Sequence, residues 1–478
     1  MTKPLATTLC PLCVDLDGTL VKTDTFAQEM LLLIRTRPLT FFYLLRRISA
    51  GLAPFKQRIA GEIQLDPAAL PYQFEFLELL KEEYRTGREL ILVTASDKAP
   101  AQAVAEYLGL FSDVMASNGV CNLKATRKRD ALVARFGEKG FDYAGNAVDD
   151  LPVWAVARNI IAVNPSTTVL RALANRSARV FEDRPPLWRV WLRALRVHQW
   201  TKNMLIFLPM LLAHELTNPV LYLQAVIAFF SFSLAASTIY IFNDIFDLHA
   251  DQHHPHKKKR PFASGNLGLG GAVVVMPLLL ISFLLAALLS PTFIGILLLY
   301  LALTTLYSWW LKQTAVLDVL TLAGLYALRI FAGTAAYGVV ASEWLIAFSI
   351  FIFLSLALVK RYAELRAAAQ QMPDSLQSRG RGYRVVDMPL LGGFGVATGC
   401  LSVLVLALYI SSPRVIDFYP RPAVLWLLCP LQFYWIARIW LLAGRGEMSD
   451  DPLDFAARDL RTWLVVFLSS MTLVLGSF

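Results

Sequence analysis

The chain has 478 residues, which is enough for two domains. Hydrophobic residues make up 56% of it and charged residues only 17%, and this composition excludes an ordinary soluble protein. The formal net charge of +9 suits a protein that lies against an anionic membrane surface or handles phosphorylated substrates. A basic face interleaved with aromatic residues would indicate a nucleic-acid partner, but the sequence shows no such face. We therefore expect no nucleic-acid partner.

Polar and apolar residues are unevenly distributed along the chain. Residues 1–180 carry an ordinary scatter of charge, a joint occupies 181–202, and long apolar runs fill 203–478. The N-terminus has no basic stretch followed by an apolar core, so we predict no signal peptide and a first domain that stays in the cytoplasm. The sequence therefore predicts a soluble domain, a linker helix at the membrane surface and a membrane domain.

The first domain alternates strand and helix patterns, which predicts a Rossmann-like α/β fold with a parallel sheet. An inserted segment at about 26–80 mixes apolar and basic residues, so we expect a helical cap that packs on the sheet and can also rest on the membrane. The predicted strands are 9–14, 90–93, 141–144 and 160–163. The predicted helices between them include 99–108 and 129–136.

Two carboxylates stand one residue apart directly after the first predicted strand, Asp15 and Asp17. Side chains two residues apart on an extended chain point to the same side. One carboxylate can then attack phosphorus while the other gives and takes a proton, with Mg²⁺ bridging to the phosphate oxygens. An acidic turn after a strand is the simpler interpretation of these residues taken alone.

Three further motifs follow in order, and together they resemble the haloacid dehalogenase (HAD) superfamily over about residues 9–170. The resemblance implies that Asp15 is the phosphoryl-accepting nucleophile and Asp17 the general acid and base. It also implies that Thr94, after a hydrophobic strand, holds the phosphate. A lysine would neutralise the phosphoaspartate, and Lys128 is our prediction for it, with Lys124 a close rival.

The fourth motif of that superfamily is an acidic run after a strand, matched here by residues 145–150. The resemblance implies that Asn146 and Asp150 join Asp15 and Asp17 as Mg²⁺ ligands. Asn146 stands where the superfamily usually has an aspartate, and an amide oxygen ligates Mg²⁺ without bringing charge. Weaker metal binding, or a degenerate and regulatory first domain, is therefore an alternative.

The joint and the apolar runs that follow it predict how the chain meets the membrane. Residues 187–200 alternate tryptophan with arginine, which is typical of an interfacial helix. By the positive-inside rule, the clustering of Lys and Arg in alternate loops places those loops and the first domain on the cytoplasmic face of the cell membrane, with Arg414 and Arg421 as exceptions. About nine spans are predicted, near 204–216, 220–242, 271–290, 292–310, 316–338, 343–359, 389–410, 421–441 and 461–477.

Three aspartates follow directly on the second apolar run, Asp244, Asp247 and Asp251. At spacings of i, i+3 and i+7 a helix stacks them on one face. Carboxylates at a membrane border repel one another unless a cation lies between them, and an oxygen-only ligand set suits Mg²⁺ held together with a diphosphate. The alternative is a solvated acidic helix end.

The histidines at 253, 254 and 256 share a loop with four cations, so we predict no zinc site there.

This aspartate pattern on an all-α scaffold of about nine spans resembles the UbiA superfamily of intramembrane transferases. The match covers about residues 190–470. One branch, the decaprenyl-phosphate phosphoribosyltransferases, fits better than the quinone-type enzymes, whose second aspartate-rich motif is reduced here to Asp318. The residues that carry this closer resemblance are Arg196 to Asn203, Asp251 to Lys257, Arg260 to Gly265, Tyr307-Ser308, Lys312, Asp318, Leu328-Arg329 and Lys360 to Leu365.

The resemblance implies transfer of 5-phosphoribose from phosphoribosyl diphosphate (PRPP) to a polyprenyl phosphate, with Mg²⁺ held on the diphosphate by the three aspartates. The first domain would then hydrolyse the 5-phosphate. The alternative is a prenyltransferase that uses an isoprenoid diphosphate and a small acceptor. The implied substrate-binding residues are Lys202, Asn203, Asn243, Lys257, Arg260, Tyr307, Lys312, Asp318, Arg329, Lys360 and Arg361.

Overall fold

The computed structural model describes residues 10–46, 48–118, 121–212, 218–339, 342–371, 382–413, 415, 419–448 and 451–477. The chain folds into two compact units. The first unit comprises residues 10–194 together with Ile241–Val274, and the second comprises Leu195–Tyr240 together with residues 275–477. We call Ile241–Val274 the aspartate segment. It belongs to the first unit although apolar helices precede and follow it along the chain.

A six-stranded sheet forms the centre of the first unit. Every pairing is parallel and the strand order is β3-β2-β1-β4-β5-β6, the Rossmann-like order. Apolar side chains fill both faces of the sheet, as a parallel sheet covered by helices requires. The predicted parallel α/β fold is therefore confirmed. The strands are β1 Leu12–Val14, β2 Leu90–Asp97, β3 Asp113–Ser117, β4 Asp142–Gly145, β5 Ile160–Val163 and β6 Ala178–Phe181.

Nine helices accompany this sheet among the described residues. The first three form the cap, with a small apolar core of their own around Leu33, Phe55 and Ile59. Asp24 begins the first helix, because its carboxylate accepts a hydrogen bond from the backbone N–H of Ala27 at 3.0 Å. The helices are α1 Thr25–Thr36, α2 Pro38–Leu45, α3 Leu52–Glu62, α4 Phe74–Arg85, α5 Lys98–Leu108, α6 Thr126–Phe136, α7 Leu151–Val156, α8 Thr167–Leu173 and α9 Leu187–Ala194.

The last of these helices corresponds to the predicted interfacial helix, but it is shorter than predicted. It ends at Ala194, and Arg196 then adopts a positive φ of 51°. A 3₁₀ helix, Val197–Phe207, follows instead of a continued α-helix. The positive φ interrupts the regular helical backbone, so the Trp-Arg pattern of the joint is divided between two elements.

Twelve further α-helices lie in the described chain after Phe207. They are α10 Leu208–Leu212, α11 Pro219–Phe246, α12 Leu248–Gln252, α13 Val275–Ala287, α14 Pro291–Trp309, α15 Leu317–Tyr337, α16 Glu343–Gln371, α17 Met388–Ile410, α18 Pro422–Leu425, α19 Leu428–Arg445, α20 Pro452–Arg458 and α21 Leu460–Ser477. Of these, α12 lies in the aspartate segment, and the last residues of α11, from Ile241 onward, belong to the same unit.

Eight helical stretches among the described residues are long and apolar enough to cross a membrane, so the chain is a multi-pass membrane protein. They coincide with the last eight predicted spans. The first predicted span, 204–216, corresponds to the end of the 3₁₀ helix and to the short α10, and residues 213–217 lie outside the described part. Arg414, an exception to the positive-inside pattern, also lies outside it. The first predicted span, which would be the ninth in number, stays a prediction, and so does the orientation of the chain in the membrane.

Candidate active sites

The first candidate site lies at the carboxyl ends of two neighbouring strands. Asp15 directly follows β1, and the run from Asn146 to Asp150 directly follows β4. Because β1 pairs with β2 on one side and with β4 on the other, the strand order reverses between β1 and β4. Parallel α/β sheets bind ligands in the crevice outside such a reversal. The sheet therefore brings the first and fourth sequence motifs together at its usual binding position.

Lys128 connects these two motifs. Its Nζ donates to Asp15 Oδ1 at 2.8 Å, to the hydroxyl of Tyr143 at 2.9 Å and to Asp150 Oδ1 at 3.4 Å. Only 4% of Lys128 is exposed. Lys124, its rival, is instead more than half exposed and pairs with the exposed Asp149 at 3.1 Å. The structure thus brings Lys128, and not Lys124, to the strand-end carboxylates.

Asp17 is held from two directions. The backbone N–H of Thr25, the first residue of α1, donates to Asp17 Oδ1 at 2.8 Å. The hydroxyl of Ser96, on β2, donates to Asp17 Oδ2 in a short hydrogen bond. Thr94, on the same strand, is fully buried, and its hydroxyl accepts from the backbone N–H of Ser96 at 3.0 Å. Helix α1 of the cap and strand β2 therefore fix the orientation of this carboxylate.

Asn146 lies against the first motif. The hydroxyl of Thr19 donates to Asp15 Oδ2 at 3.2 Å and to Asn146 Oδ1 at 3.3 Å. Gly18 has a positive φ of 78°, and a Cβ atom at that position would lie 2.1 Å from Asn146 Nδ2. Any larger residue would therefore push the amide away. Asp150 accepts from the backbone N–H of Asn146 at 3.0 Å, which fixes the turn after β4.

Burial sets the protonation of this cluster. It raises the pKa of Asp15 to about 7, although Lys128 opposes the shift, and it also raises the pKa of Asp17. Burial alone would lower the pKa of Lys128, but Asp15 and Asp150 outweigh it and raise that pKa. A divalent cation would favour the ionised carboxylates in the same way. The acidic and amide oxygens present here suit Mg²⁺.

The second candidate site lies in the aspartate segment. Asp244, in the last turn of α11, and Asp251, in α12, are each only 2% exposed. One guanidinium bridges them, because Arg260 Nη1 lies 3.1 Å from Asp244 Oδ1 and 2.6 Å from Asp251 Oδ2. Burial raises the pKa of Asp251, while Arg260 opposes the shift. Two buried carboxylates therefore lie on one guanidinium, and carboxylate oxygens are ligands that suit Mg²⁺.

Asp247, the third aspartate, lies at the junction of α11 and α12 and is directed elsewhere. Its Oδ1 is 3.2 Å from Nη2 of Arg35, on the cap helix α1. Its backbone N–H donates to the carbonyl of Asn243 at 2.8 Å, which continues the helical hydrogen bonding across the junction. Lys257 begins an exposed 3₁₀ turn before Arg260. Of the three predicted metal ligands, the structure brings two together and directs the third toward the cap.

No group of three or more His, Cys, Asp and Glu side chains converges to hold a metal among the described residues. Mg²⁺ is usually bound through one or two protein carboxylates, with phosphate oxygens and waters completing its shell. The Asp244–Asp251 pair offers two carboxylates, and in the strand-end cluster Asp15 and Asp150 meet on one ammonium. Each fits an ion that arrives with a phosphate better than a permanently enclosed ion.

The second unit contains a separate cluster around Asp451, just before α20. Nζ of Lys202 lies 2.7 Å from Asp451 Oδ2, and Nζ of Lys360 lies 3.0 Å from the same oxygen. Burial alone would raise the pKa of Asp451, but Lys360 and Lys202 lower it well below its ordinary value. Two cations share one carboxylate, so this cluster carries a net positive charge.

A second ionic cluster of the same unit surrounds Asp318, which is fully buried at the start of α15. Arg361 contacts both carboxylate oxygens of Asp318 and also pairs with Glu364. The hydroxyl of Tyr307 donates to Asp318 Oδ1 at 2.8 Å and accepts from Arg361 Nη2 at 2.8 Å. Arg361 therefore contacts two carboxylates, whereas Asp451 contacts two cations.

Arg329, on α15, lies in an aromatic setting. Its guanidinium carbon is 5.3 Å from the ring centre of Tyr300 and 5.5 Å from that of Tyr326, distances at which a cation and a ring attract each other. Its Nε donates to Asn203 Oδ1 at 2.8 Å. Lys312, in the 3₁₀ helix Leu311–Gln313, is half-buried.

Sequence reasoning missed several members of these clusters: Arg35, Ser96, Tyr143, Glu364 and Asp451. A signal existed for Asp451, because an aspartate directly before a proline is a common start of a helix, here α20. That signal predicts a cap and gives no hint of two lysines. For Arg35 the cap was predicted to be basic, but its contact with the aspartate segment depends on the tertiary fold.

Known proteins resemble the chain over different parts of its length. Residues 204–458 match the UbiA prenyltransferase family. An uncharacterized protein of Sinorhizobium fredii is 36% identical over 473 residues, covering 98% of this chain and 91% of that protein. The decaprenyl-phosphate phosphoribosyltransferase of Mycobacterium tuberculosis is 35% identical over 181 residues, covering 37% of this chain and 60% of that enzyme. The structure of a UbiA homolog from Archaeoglobus fulgidus bound to DMAPP and Mg²⁺ aligns with 60% of this chain and 97% of its own, at 16% identity and a TM-score of 0.44.

Proposed function

Because this chain belongs to the UbiA prenyltransferase family, we propose that it is a membrane transferase that moves 5-phosphoribose from PRPP to a polyprenyl phosphate. We further propose that its HAD-like first domain (residues 1–180) then removes the 5-phosphate. The membrane domain is residues 203–478, with 181–202 as the linker. The product is a polyprenyl-phosphoryl ribose, and both steps take place on the cytoplasmic face of the cell membrane.

One observation carries the transferase half of the proposal: two buried carboxylates share one arginine in the aspartate segment. The oxygens of Asp244 and Asp251 fit Mg²⁺ that arrives on a diphosphate, and Arg260 beside them fits the phosphate oxygens. The resemblance to decaprenyl-phosphate phosphoribosyltransferase favours PRPP over an isoprenoid diphosphate as the donor.

The transfer step replaces one bond at C1 of the ribose. An oxygen of the lipid phosphate attacks C1, the bond from C1 to the pyrophosphate oxygen breaks, and pyrophosphate leaves with the bonding electrons. Mg²⁺, when bound, neutralises charge on the leaving pyrophosphate. Asp244 and Asp251, with Asp247 beside them, would hold this ion, and Arg260 would contact the diphosphate oxygens directly.

The charge balance of the second unit separates its candidate phosphate-binding residues into two groups. Lys202 and Lys360 share Asp451, so we assign them to bind a phosphate of the donor or of the lipid. Arg361 is buried in contact with Asp318 and Glu364, so we assign it to hold the helices that bear these residues.

The hydrolytic step is assigned to the strand-end cluster. Asp15 attacks phosphorus, the bond from phosphorus to the ribose 5-oxygen breaks, and Asp17 protonates that oxygen. Asp17 then takes a proton from the water that hydrolyses the phosphoaspartate and releases inorganic phosphate. Lys128 and Thr94 hold the phosphate. Because Asp15 must be ionised to attack, the positive charge of Lys128 favours the reactive form.

Fusion of the two domains in one chain supports two consecutive reactions, because tethering raises the effective concentration of the second site for a membrane-bound product. Membranes that contain the Asp15→Asn variant, given labelled PRPP and polyprenyl phosphate, should accumulate the phosphorylated lipid. Wild type and the matched variant Asp130→Asn, whose substituted side chain is exposed, should release inorganic phosphate. Identical products from Asp15→Asn and wild type would rule out the coupled reaction.

The same assay separates two alternatives. A prenyltransferase would use an isoprenoid diphosphate and ignore PRPP, so the purified chain is given each donor in turn. A regulatory first domain, which Asn146 favours, would leave the phosphorylated lipid intact in the wild type as well. Release of phosphate by wild type and Asp130→Asn, but not by Asp15→Asn, supports a catalytic first domain.

A further inference from the structure

Helix α1 of the cap ends against the aspartate segment. Nη1 of Arg35 donates to the backbone carbonyl of Phe246 at 2.9 Å, and Nη2 lies 3.2 Å from Asp247 Oδ1. Phe246 is the last residue of α11, and the helix dipole favours a cation near the C-terminal end of a helix. A single guanidinium therefore caps the helix that bears Asp244 and holds the carboxylate that follows it.

The other end of α1 is fixed independently. Asp24 caps its first turn, and the N–H of Thr25 donates to Asp17 in the strand-end cluster. Arg35 lies ten residues further along, which corresponds to ~15 Å of helix. Its guanidinium is thus carried by an anchored rigid element, which holds a functional group in place better than a loop does.

Two other contacts join the aspartate segment to the same domain. Nε2 of His253 lies 2.8 Å from Oδ2 of Asp66, which lies between α3 and α4 in the chain. Gly265 has a φ of 71°, and a Cβ atom there would lie 2.5 Å from Cβ of Lys22. The contact made by Arg35 is therefore part of an extended packing of the segment on the first domain.

We propose that Arg35 is a positioning residue of the diphosphate site, so that the cap of the first domain forms part of the transferase. Arg35 orients Asp247 and fixes the α11–α12 junction between Asp244 and Asp251. This inference rests on the proposed function in taking the three aspartates as the diphosphate site. It assigns the first domain a second role, in addition to its own hydrolytic chemistry.

Binding of Mg²⁺ and pyrophosphate to the full-length chain in detergent tests this role by titration calorimetry, because pyrophosphate leaves from either candidate donor. Arg35→Ala should weaken binding about fivefold, a modest loss because 37% of the Arg35 side chain is exposed. Arg35→Lys should recover part of this loss, since an ammonium can serve one of the two acceptors. Arg37→Ala, which removes a cap arginine that pairs with Glu62, should stay within about twofold of wild type.

Asp244→Asn is the control for this titration, because it should abolish Mg²⁺ and pyrophosphate binding at the aspartate segment. The binding that remains in this variant comes from elsewhere on the chain and is subtracted. In Arg35→Ala the KM for PRPP should rise in parallel with the dissociation constant for Mg²⁺ and pyrophosphate. Phosphatase activity should stay unchanged. Equal binding by Arg35→Ala and Arg37→Ala, or tighter binding by Arg35→Ala, overturns the inference. If binding responds as expected but PRPP is not used, the proposed donor is wrong and the role of Arg35 stands.

Discussion

The first unit contains two pairs of carboxylates that are each bridged by one cation, and the pairs differ in how open they are. Lys128 bridges Asp15 and Asp150 with 6% of its side chain exposed. Arg260 bridges Asp244 and Asp251 with 28% exposed. The carboxylates themselves are buried in both pairs. The difference therefore lies in the cation and in its access to solvent.

Local structure explains this difference. Lys128 lies in α6, and the loops at the ends of β1 and β4 enclose its ammonium. Arg260 instead follows a short exposed 3₁₀ turn. An enclosed ammonium keeps a fixed place beside the attacking oxygen, whereas a guanidinium at the surface can shift when a metal and a diphosphate arrive. The two pairs suit a small phosphate group and a larger charged donor, respectively.

Lys128→Met removes the enclosed cation between Asp15 and Asp150 and should have the largest effect. Removing the cation leaves two buried carboxylates unbalanced, and the first domain should lose about 3–5 kcal/mol of stability. Burial already raises the pKa of Asp15, and without the lysine Asp15 binds a proton more readily, which relieves the repulsion at low pH. The loss should therefore be larger at pH 8 than at pH 5. Phosphatase activity should fall about 10²- to 10³-fold.

Hydrogen exchange of peptides that contain β1 and β2 measures this stability within the full-length chain. Lys124→Met is the matched control, since Lys124 is an exposed lysine that pairs with the exposed Asp149. It should leave both stability and hydrolysis within about twofold of wild type. Equal losses in the two variants would show that the enclosed lysine has no special role.

Arg260→Ala removes the more exposed cation between Asp244 and Asp251 and should have a smaller effect. Transferase activity at pH 7 should fall about 30-fold, because one charged donor to the diphosphate is lost. Arg260 opposes the effect of burial on Asp251, so its removal raises the pKa of that carboxyl further. The acid limb of the pH–rate profile should therefore move to higher pH, while phosphatase activity stays unchanged.

The pH–rate profiles of Arg260→Ala and Lys258→Ala, measured with PRPP, test this expectation. Lys258 is an exposed cation of the same loop, so its removal controls for the general loss of positive charge. A faster Arg260→Ala enzyme would mean that the guanidinium blocks the site and does not assist the reaction.

The fold could be predicted where the sequence pattern is strong. Strands β1, β2, β4 and β5 are apolar and buried, and all four were predicted. Strands β3 and β6 are the two edges of the sheet and are mostly half-exposed, so their apolar signal is weak and they were missed. The last eight membrane spans were predicted because each is a long apolar run, whether or not it is buried in the structure.

The sites could be predicted only as far as local motifs reach. Asp15 and Asp17 stand in one motif, but Lys128 lies 113 residues from Asp15, and only the start of α6 at Thr126 separates it from Lys124. Asp451 meets Lys202 and Lys360 across 249 and 91 residues of chain. Spacing along the sequence carries no information on such pairings, because the sheet and the helix bundle create them.

Glu29, on α1, extends the comparison to a buried acid whose environment is dominated by other acids. It is 2% exposed, and burial, with Asp97, Asp17 and Asp24, raises its pKa to about 8. A raised pKa means that the folded chain binds a proton more tightly than the unfolded chain. The stability that this proton contributes is complete below the unfolded pKa of about 4.5 and is lost as the pH rises toward 8.

Glu29→Gln should therefore leave the stability of the first domain nearly unchanged at pH 5 and increase it by about 2 kcal/mol at pH 8. The gain is smaller than the pKa shift alone implies, because the amide is also a buried polar group. Hydrogen exchange of the β1 and β2 peptides at the two pH values measures it. Glu75→Gln, at an exposed glutamate of α4, should change stability by less than about 0.5 kcal/mol at either pH. A pH-independent difference between Glu29→Gln and wild type would mean that Glu29 is ionised at both pH values and that burial and the neighbouring acids do not raise its pKa.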